Sequence, residues 1–320
     1  MITSQHIIGF FIINIFTALL GYVLLKQRLL KTAWLFMPLV LAATYFLFRH
    51  EPPALLMLAI IAVTFTAIKP IPAIIDYRNK PTNLTLKQWL TFALAWAGMR
   101  VQPFEKLDSA PLPNAQQNTR FGVSRLMIGL AFVLVAYVLK SFLIITPLTY
   151  GLISCLILVG FSFILHFGLL SISTGTLRKR GVNVGLLFKS PARAKSLADF
   201  WGKCWNLAFS EMTSVIIYRP LKKHVGAAWA LLASFMFSGL LHEVALSLPV
   251  NNGYGLPTLY FLLQGIVVLI EKRWLQNSFM LTHPLLCKTW TFCCIVLPAP
   301  LLFHAQFIQH VIWPVTGISL

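Results

Sequence analysis

The chain has 320 residues, of which 58% are hydrophobic and only 11% are charged, and its mean hydropathy is +0.78. This composition excludes an ordinary soluble domain and predicts an all-α, polytopic integral membrane protein, because helices satisfy their own backbone hydrogen bonds in lipid. The net charge of +18 does not indicate a nucleic-acid partner. The basic residues lie between apolar runs, where they act as topology signals and can meet lipid headgroups or a phosphorylated cosubstrate.

The first three apolar runs predict membrane spans at residues 7–25, 33–48 and 54–68. The first run is too long for a signal-peptide core and has no basic segment before it, so we expect it to be retained as a span. The loop after it is more basic than the next one, which predicts a cytoplasmic first loop and an outer N-terminus.

From residue 69 to residue 125 the chain is richer in basic residues, proline and asparagine. Within this region, residues 84–98 place Trp89 and Trp96 with other apolar residues at helical spacing. This pattern predicts a helix lying in the membrane interface, with a small cytoplasmic subdomain as the alternative.

The remaining apolar runs predict spans at residues 126–146 and 150–171, which form a hairpin around Pro147, and at 226–248, 256–270 and 290–312. Two prolines in the last run, Pro298 and Pro300, predict a kink there. The expected fold is a bundle of about eight transmembrane helices with both ends outside. No repeat or linker divides the sequence, so we expect one domain over residues 1–320.

The segment 237–243 ends in His242 and Glu243, inside an otherwise uncharged apolar run. An ionisable group within a membrane helix is costly, by about 2.5–3.5 kcal/mol on insertion scales, and usually faces a polar cavity. The segment therefore predicts an active site. The alternative is a histidine near a helix end that reaches the interface or bonds to the backbone. Glu243 lies about 100° around the helix from His242, so we expect it to orient another group.

The segment 196–206 forms a second candidate site region. Ser196 and Asp199 resemble a capping box, so a helix is predicted to begin here and to continue through residues 207–218 until Pro220 stops it. Trp201 and Trp205 are four residues apart and are predicted to share one face. The alternative is an interfacial tryptophan belt. The combination with His242 favours acyl transfer, which needs a base, an oriented dipole and a dry pocket.

These segments resemble the membrane-bound O-acyltransferases, in particular their wax-synthase-like branch. The resemblance covers about residues 190–246 and rests on Asp199-Phe200-Trp201-Gly202-Lys203-x-Trp205-Asn206, Tyr218-Arg219-Pro220 and Ser238-Gly239-Leu240-x-His242-Glu243. It implies a helical bundle around an intramembrane tunnel, which acyl-CoA enters from the cytosol and a lipophilic alcohol enters from the bilayer. It also implies a catalytic role for His242 and assistance at the reacting carbonyl by Asn206. By the same resemblance Trp201 and Trp205 lie near the passage of the acyl donor.

The sequence thus predicts transfer of an acyl group from acyl-CoA to the hydroxyl of a lipophilic alcohol, with His242 as general base and no metal or tightly bound cofactor. Ser238 and Gly239 are expected to leave a small-residue face along which an acyl chain passes. Several basic residues are candidate ligands of the CoA phosphates: Arg178, Lys179, Arg180, Arg219, Lys222 and Lys223.

Two other functions stay open at this point. One is transfer of a short acyl or acetyl group to a terpenoid, a sterol or another lipophilic hydroxyl. The other is a non-catalytic lipid transporter, although the repeated halves typical of transporters are not evident. A bacterial inner membrane and the endoplasmic reticulum are both compatible with the loop charges.

Overall fold

In the computed structural model, which describes residues 4–275 and 283–317, all regular secondary structure is helical. The α-helices are α1 Ser4–Lys26, α2 Leu30–Phe48, α3 Pro53–Ile68, α4 Pro70–Asp76, α5 Leu86–Ala95, α6 Ala115–Phe142, α7 Pro147–Ser162, α8 Leu170–Lys179, α9 Leu197–Asp199, α10 Leu207–Thr213, α11 Arg219–His242, α12 Leu256–Ile270, α13 Pro284–Val296, α14 Ala299–Leu302, α15 Ala305–Phe307 and α16 Trp313–Val315. Wider π-type turns lie at Phe163–Leu169, Phe200–Cys204, Ser214–Tyr218, Glu243–Ser247, Glu271–Leu275 and Ile308–Ile312.

The protein is an integral, multi-pass membrane protein, as predicted. Within the described ranges, seven helical stretches are long and apolar enough to cross a bilayer. They are His6–Lys26, Leu30–Phe48, Pro53–Asp76, Ala115–Phe142, Pro147–Lys179, Leu207–Val250 and Pro284–Leu302. An eighth predicted span, residues 256–270, coincides with α12, but its 15 residues are fewer than the about 20 that an upright span needs. The topology with both ends outside stays a prediction.

Proline marks the beginning of many of these helices. It occupies the first turn of α3, α7, α12 and α13, where the missing N–H costs no hydrogen bond. Prolines also end the last predicted span earlier than expected. Instead of one kinked helix over residues 290–312, α13 ends at Val296 and the chain continues as short helices after Pro298 and Phe303.

The chain divides into two compact units. The first consists of residues 1–82, 98–100 and 188–307, and the second of residues 83–97, 101–187 and 308–320. The prediction of a single domain is not decided by this division and stays a prediction.

In the second unit, α6 packs closely along α7 and α8 through glycines. A Cβ built on Gly129 would lie 2.6 Å from the carbonyl oxygen of Gly160, and one built on Gly122 would lie 2.7 Å from that of Gly168. Small residues let the helix backbones approach each other, which is how membrane helices gain packing energy in lipid.

Helix α5 also belongs to the second unit and begins at a capping box. Thr85 Oγ1 accepts from the N–H of Gln88, whose side chain accepts from the N–H of Thr85. The tryptophans that suggested an interfacial helix are buried: Trp89 is fully buried and Trp96 is 5% exposed. Trp89 packs on Phe92, and Phe92 packs on Phe104. These two rings therefore fill a protein core, and the position of α5 in the membrane interface stays a prediction.

In the first unit, α11 packs along α12, and α3 packs against α1 and α2. Helix α11 contains one break, at Gly226, which has φ +81° and ψ 171°. Gly226 is also the predicted start of the span 226–248, so the apolar run begins where the backbone turns. The C-terminal end of α11 and the beginning of α12 flank the candidate site.

Candidate active site

His242 is the last residue of α11 and is followed by the wide turn Glu243–Ser247. Its Nδ1 lies 2.7 Å from the carbonyl oxygen of Ser238, one turn earlier. A carbonyl oxygen can only accept, so Nδ1 carries the proton of the neutral imidazole. Nε2 is then left with a lone pair, which is the form that a general base requires.

Aromatic rings surround this imidazole. The ring of Phe261, from α12, has its centroid 4.4 Å from that of His242, and the ring of Phe209, from α10, lies 6.0 Å away. Rings at these distances limit the access of water to His242, which is itself only partly exposed. A base in such surroundings acts on a lipophilic hydroxyl more readily than on bulk water.

Glu243 contacts the beginning of α12, not the imidazole of His242. Its carboxylate accepts from the N–H of Gly255 at 2.8 Å and from both the N–H and the hydroxyl of Thr258, at 3.3 and 2.9 Å. These donors belong to the first turn of α12, where a negative charge is stabilised by the helix dipole. Glu243 thus fixes the beginning of α12 beside His242, in agreement with its expected role of orienting another group.

A helix begins at Ser196 as predicted, but only the serine half of the predicted capping box is present. Ser196 Oγ accepts from the N–H of Asp199 at 3.0 Å, which is half of a capping box. The carboxylate of Asp199 does not complete the box: it accepts from the N–H of Lys195 at 3.3 Å and pairs with Lys203 at 2.8 Å.

Two other backbone donors at this helix start bond to Glu271, which the sequence analysis missed. Glu271 is 2% exposed and follows α12 directly. Its Oε1 accepts from the N–H of Leu197 at 2.8 Å and from Trp290 Nε1 at 2.8 Å, and its Oε2 accepts from the N–H of Ala198 at 2.9 Å. The sequence shows only an acidic residue before two basic ones at a helix end, so no local signal points to this contact.

The continuous helix predicted from Ser196 to Tyr218 is wrong. The backbone leaves the helix at Trp205, which is extended, and at Asn206, which has φ +45°. A new helix, α10, begins at Leu207. Asn206 is one of the few residue types that tolerate a left-handed backbone, and its side chain caps the new helix. Pro220 does not end the helical run either, because it occupies the first turn of α11, and the break comes at Gly226.

The prediction that Trp201 and Trp205 share one helical face is wrong. Trp201 lies in the wide turn Phe200–Cys204, and the backbone of Trp205, which follows this turn, is extended. Both still pack on Phe200: Trp201 edge-on at 5.1 Å and Trp205 stacked at 5.5 Å. Trp201 also contacts Phe261, the ring beside His242, at 5.6 Å. Trp201 therefore lies in the same aromatic cluster as the candidate base.

Gln264 is a second residue that the sequence analysis missed. It is 1% exposed in α12 and its Oε1 accepts from Trp201 Nε1 at 3.1 Å. The signal for it is an amide side chain in the apolar stretch 256–270.

Asn206 is linked to His242 through Phe209. The Oδ1 of Asn206 accepts from the N–H of Phe209 at 3.4 Å, and the ring of Phe209 contacts the imidazole. This cap uses the oxygen of the side-chain amide, whereas an oxyanion would need its nitrogen. The direct partnership of Asn206 and His242 stays a prediction.

Ser238 and Gly239 have different environments. Ser238 provides the carbonyl oxygen that holds His242, and its hydroxyl donates to the carbonyl of Ser234 at 3.2 Å. A Cβ on Gly239 would lie 2.8 Å from Thr258 Cα, so α12 fills the space beside this glycine. At Gly239 the predicted small-residue face is a helix contact, with no room for an acyl chain.

The six basic candidates for CoA binding divide into bonded and exposed side chains. Arg178 donates to the carbonyl oxygens of Pro113 and Val184 and to the side chain of Asn183, and Arg180 pairs with Asp108 at 2.8 Å. Lys222 lies over the ring of Tyr218 at 5.8 Å. The side chains of Lys179, Arg219, Lys222 and Lys223 are exposed. Arg178 and Arg180 thus have structural contacts already, and the role of Arg219 stays a prediction.

The Asp199 contacts predict a pH dependence of stability. Partial burial alone would raise the pKa of Asp199, but the hydrogen bonds from Lys203 and from the backbone of Lys195, with the charges of both lysines, lower it below its ordinary value. A lowered folded-state pKa stabilises the protein above the unfolded pKa of about 3.9, and this contribution is lost as pH falls through the folded pKa.

We therefore expect Asp199→Asn to reduce the loss of thermal stability between pH 7 and pH 3, by about 1 kcal/mol or less because Lys203 is largely exposed. Melting temperatures of the purified protein at the two pH values measure this difference. Lys203→Gln should change this pH dependence in the same direction but by less, because the N–H of Lys195 still bonds to Asp199. Identical slopes in wild type and Asp199→Asn would show that the pair contributes nothing.

The part of the chain that contains the motif segment and His242 is similar to known proteins. Residues 184–263 match the model of the membrane bound O-acyl transferase family. The chain is 30% identical over 138 residues to a probable long-chain-alcohol O-fatty-acyltransferase 7 of Arabidopsis thaliana. This alignment covers 38% of this chain and 40% of that protein. It is 36% identical over 72 residues to a long-chain-alcohol O-fatty-acyltransferase of Simmondsia chinensis, covering 20% of each. The chain thus spans 40% or less of the length of these two relatives.

Proposed function

We propose that this chain, which matches the model of the membrane bound O-acyl transferase family over residues 184–263, transfers a fatty-acyl group from acyl-CoA to the hydroxyl of a long-chain alcohol, with His242 as general base. The observation that carries the proposal is the hydrogen bond from His242 Nδ1 to the carbonyl of Ser238. It fixes the imidazole in the tautomer whose Nε2 accepts a proton, within a cluster of aromatic rings.

In the proposed reaction, Nε2 of His242 takes the proton of the alcohol while the alcohol oxygen attacks the thioester carbonyl carbon. A tetrahedral intermediate with a negative oxygen forms, and the carbon–sulfur bond then breaks. The proton on the imidazolium passes to the departing thiolate, so the products are an ester and free CoA. Atoms and charges balance without a metal or redox cofactor.

Two groups support the steps that surround the proton transfer. The side-chain nitrogen of Asn206 is our candidate donor to the negative oxygen, since the cap on α10 uses only its oxygen. The rings of Phe209 and Phe261 keep water from the imidazole and so disfavour hydrolysis of the thioester. Long apolar substrates fit a site that lies within membrane helices.

The test is an esterification assay on membranes that contain the protein. Radiolabelled acyl-CoA of increasing chain length, from acetyl to stearoyl, is given with fatty alcohols, a sterol and a terpenoid alcohol, and the esters are separated by thin-layer chromatography. We expect esters of long-chain acyl groups with fatty alcohols. Transfer of acetyl alone to the sterol or terpenoid would replace the proposal by the short-chain alternative. No ester with any acceptor would contradict an enzymatic function and favour lipid transport.

A further inference from the structure

Gln264 is a buried polar side chain in the apolar helix α12, and both ends of its amide are hydrogen-bonded. Its Oε1 accepts from Trp201 Nε1 at 3.1 Å, and its Nε2 donates to the carbonyl oxygen of Cys294 at 2.8 Å. An amide in an apolar helix is unfavourable unless it is fully paired. These two hydrogen bonds connect Trp201 with α12 and α13, which both begin more than fifty residues later in the chain.

Trp201 passes the effect of this hydrogen bond to the candidate base. Its indole contacts Phe261 at 5.6 Å and Phe235 edge-on at 6.0 Å. Phe261 lies three residues before Gln264, on the same side of α12. The ring of Phe261 in turn lies 4.4 Å from the imidazole of His242. A continuous series of contacts therefore runs from Gln264 through two rings to His242.

Phe261 also limits how far the imidazole can move. The Nδ1 bond to Ser238 leaves His242 free to swing about that bond, and the ring of Phe261, whose centroid lies 4.4 Å from that of the imidazole, opposes the swing. The indole of Trp201 packs against Phe261 at 5.6 Å and so supports its position. An indole that lacks a hydrogen bond to its N–H can rotate. The amide of Gln264, which accepts this bond, therefore determines the orientation in which the indole of Trp201 packs on Phe261.

We propose that Gln264 is a positioning residue for the acyl transfer proposed above, on which this inference rests. It holds the indole of Trp201 so that Trp201 and Phe261 keep Nε2 of His242 directed at the acceptor hydroxyl. Misplacing a catalytic group by about 1 Å can cost about a hundredfold in rate. Because Gln264 acts through two rings, we expect a smaller effect of about tenfold, on kcat rather than on KM.

A double-mutant cycle tests the proposal with kcat and KM measured per folded protein. Gln264→Met keeps the volume and removes the hydrogen bonds, and Trp201→Phe removes the indole N–H. If both act through one bond, each variant lowers kcat by about tenfold and the double variant is no slower than the slower single one. Effects that multiply to about a hundredfold would overturn the proposal, because Gln264 would then act separately from Trp201.

Tyr260→Phe is the matched control. The hydroxyl of Tyr260 donates to the carbonyl of Ile295 at 3.5 Å, so this variant removes another bond between α12 and α13 without touching Trp201. We expect its kcat to equal that of wild type. A loss as large as that of Gln264→Met would show that Gln264 only joins α12 to α13, and would overturn a positioning role.

Wild type and His242→Ala, assayed in parallel, separate the two proposals. If wild type makes no ester, or His242→Ala makes as much as wild type, the proposed function fails and the inference fails with it. If wild type is active and depends on His242, an unchanged kcat in Gln264→Met overturns only the role of Gln264. A nitrogen-15 spectrum of the indole N–H of Trp201, assigned with Trp201→Phe, should shift in Gln264→Met and leave the other indole signals in place.

Discussion

His242→Ala is expected to lower ester formation by a factor of at least about 10²–10⁴, because the variant has no group to take the hydroxyl proton. His242→Gln should be equally inactive. Its amide can still donate to the carbonyl of Ser238, but it offers no base to the acceptor. The measurement is the initial rate of esterification at saturating acyl-CoA and alcohol, per amount of folded protein.

The control for this experiment lies on the same helix. His224 is exposed near the beginning of α11, so His224→Ala removes an imidazole without touching the aromatic cluster. It should retain the wild-type rate. Because loss of a buried polar group can also unfold a protein, the melting temperature and the membrane abundance of each variant are measured alongside. A His242→Ala variant that folds and keeps the wild-type rate would contradict the role of His242.

Glu271→Ala is expected to destabilise the protein by about 3–5 kcal/mol, because it leaves buried N–H donors without an acceptor. The donors are the backbone N–H groups of Leu197 and Ala198 and the indole N–H of Trp290. They belong to two segments distant in sequence, so the carboxylate fixes the start of the motif helix against α12 and α13. We expect a melting temperature lower by on the order of 10 °C in detergent micelles.

Glu271→Gln keeps the shape of the side chain but replaces one acceptor oxygen with an NH₂ group. It therefore separates the effect of losing an acceptor from the effect of losing the side chain's volume. Its oxygen can serve the two donors of Oε1, but its NH₂ group then faces the N–H of Ala198, so an intermediate loss is expected. Glu211→Gln is the matched control, since Glu211 pairs with a largely exposed Arg100 and such pairs contribute about 1 kcal/mol or less. Equal melting temperatures of Glu271→Ala and Glu211→Gln would show that the buried carboxylate does not hold this segment.

The sequence predicted the membrane class and most helices well, because both depend on local composition. The apolar stretch 256–270 coincides with α12, and the stretch 54–68 begins one residue after α3 does. It predicted less well where polar and apolar residues alternate. The helix through Trp205 and Asn206 breaks because Asn206 takes a left-handed backbone, a choice that the hydrophobic pattern does not reveal.

For the candidate site, the sequence identified His242 as a costly ionisable residue in an apolar helix and the motif segment that contains Trp201 and Asn206. It could not show that Trp201 and His242 share one aromatic cluster, because Phe261 joins them from another helix. Contacts between residues far apart in the chain leave no periodic signal.

What the sequence determined by itself was that this chain is a helical membrane protein with a polar residue pair at the end of an apolar helix. The physical reason is that lipid imposes its constraints on each segment separately, through length, apolarity and backbone hydrogen bonding. Only the tertiary structure decided which polar groups satisfy one another. Glu243 pairs with the start of α12, Glu271 with the start of α9, and Gln264 with Trp201. In a buried environment each such group must find a partner, and the packing of distant helices determines which partner is within reach.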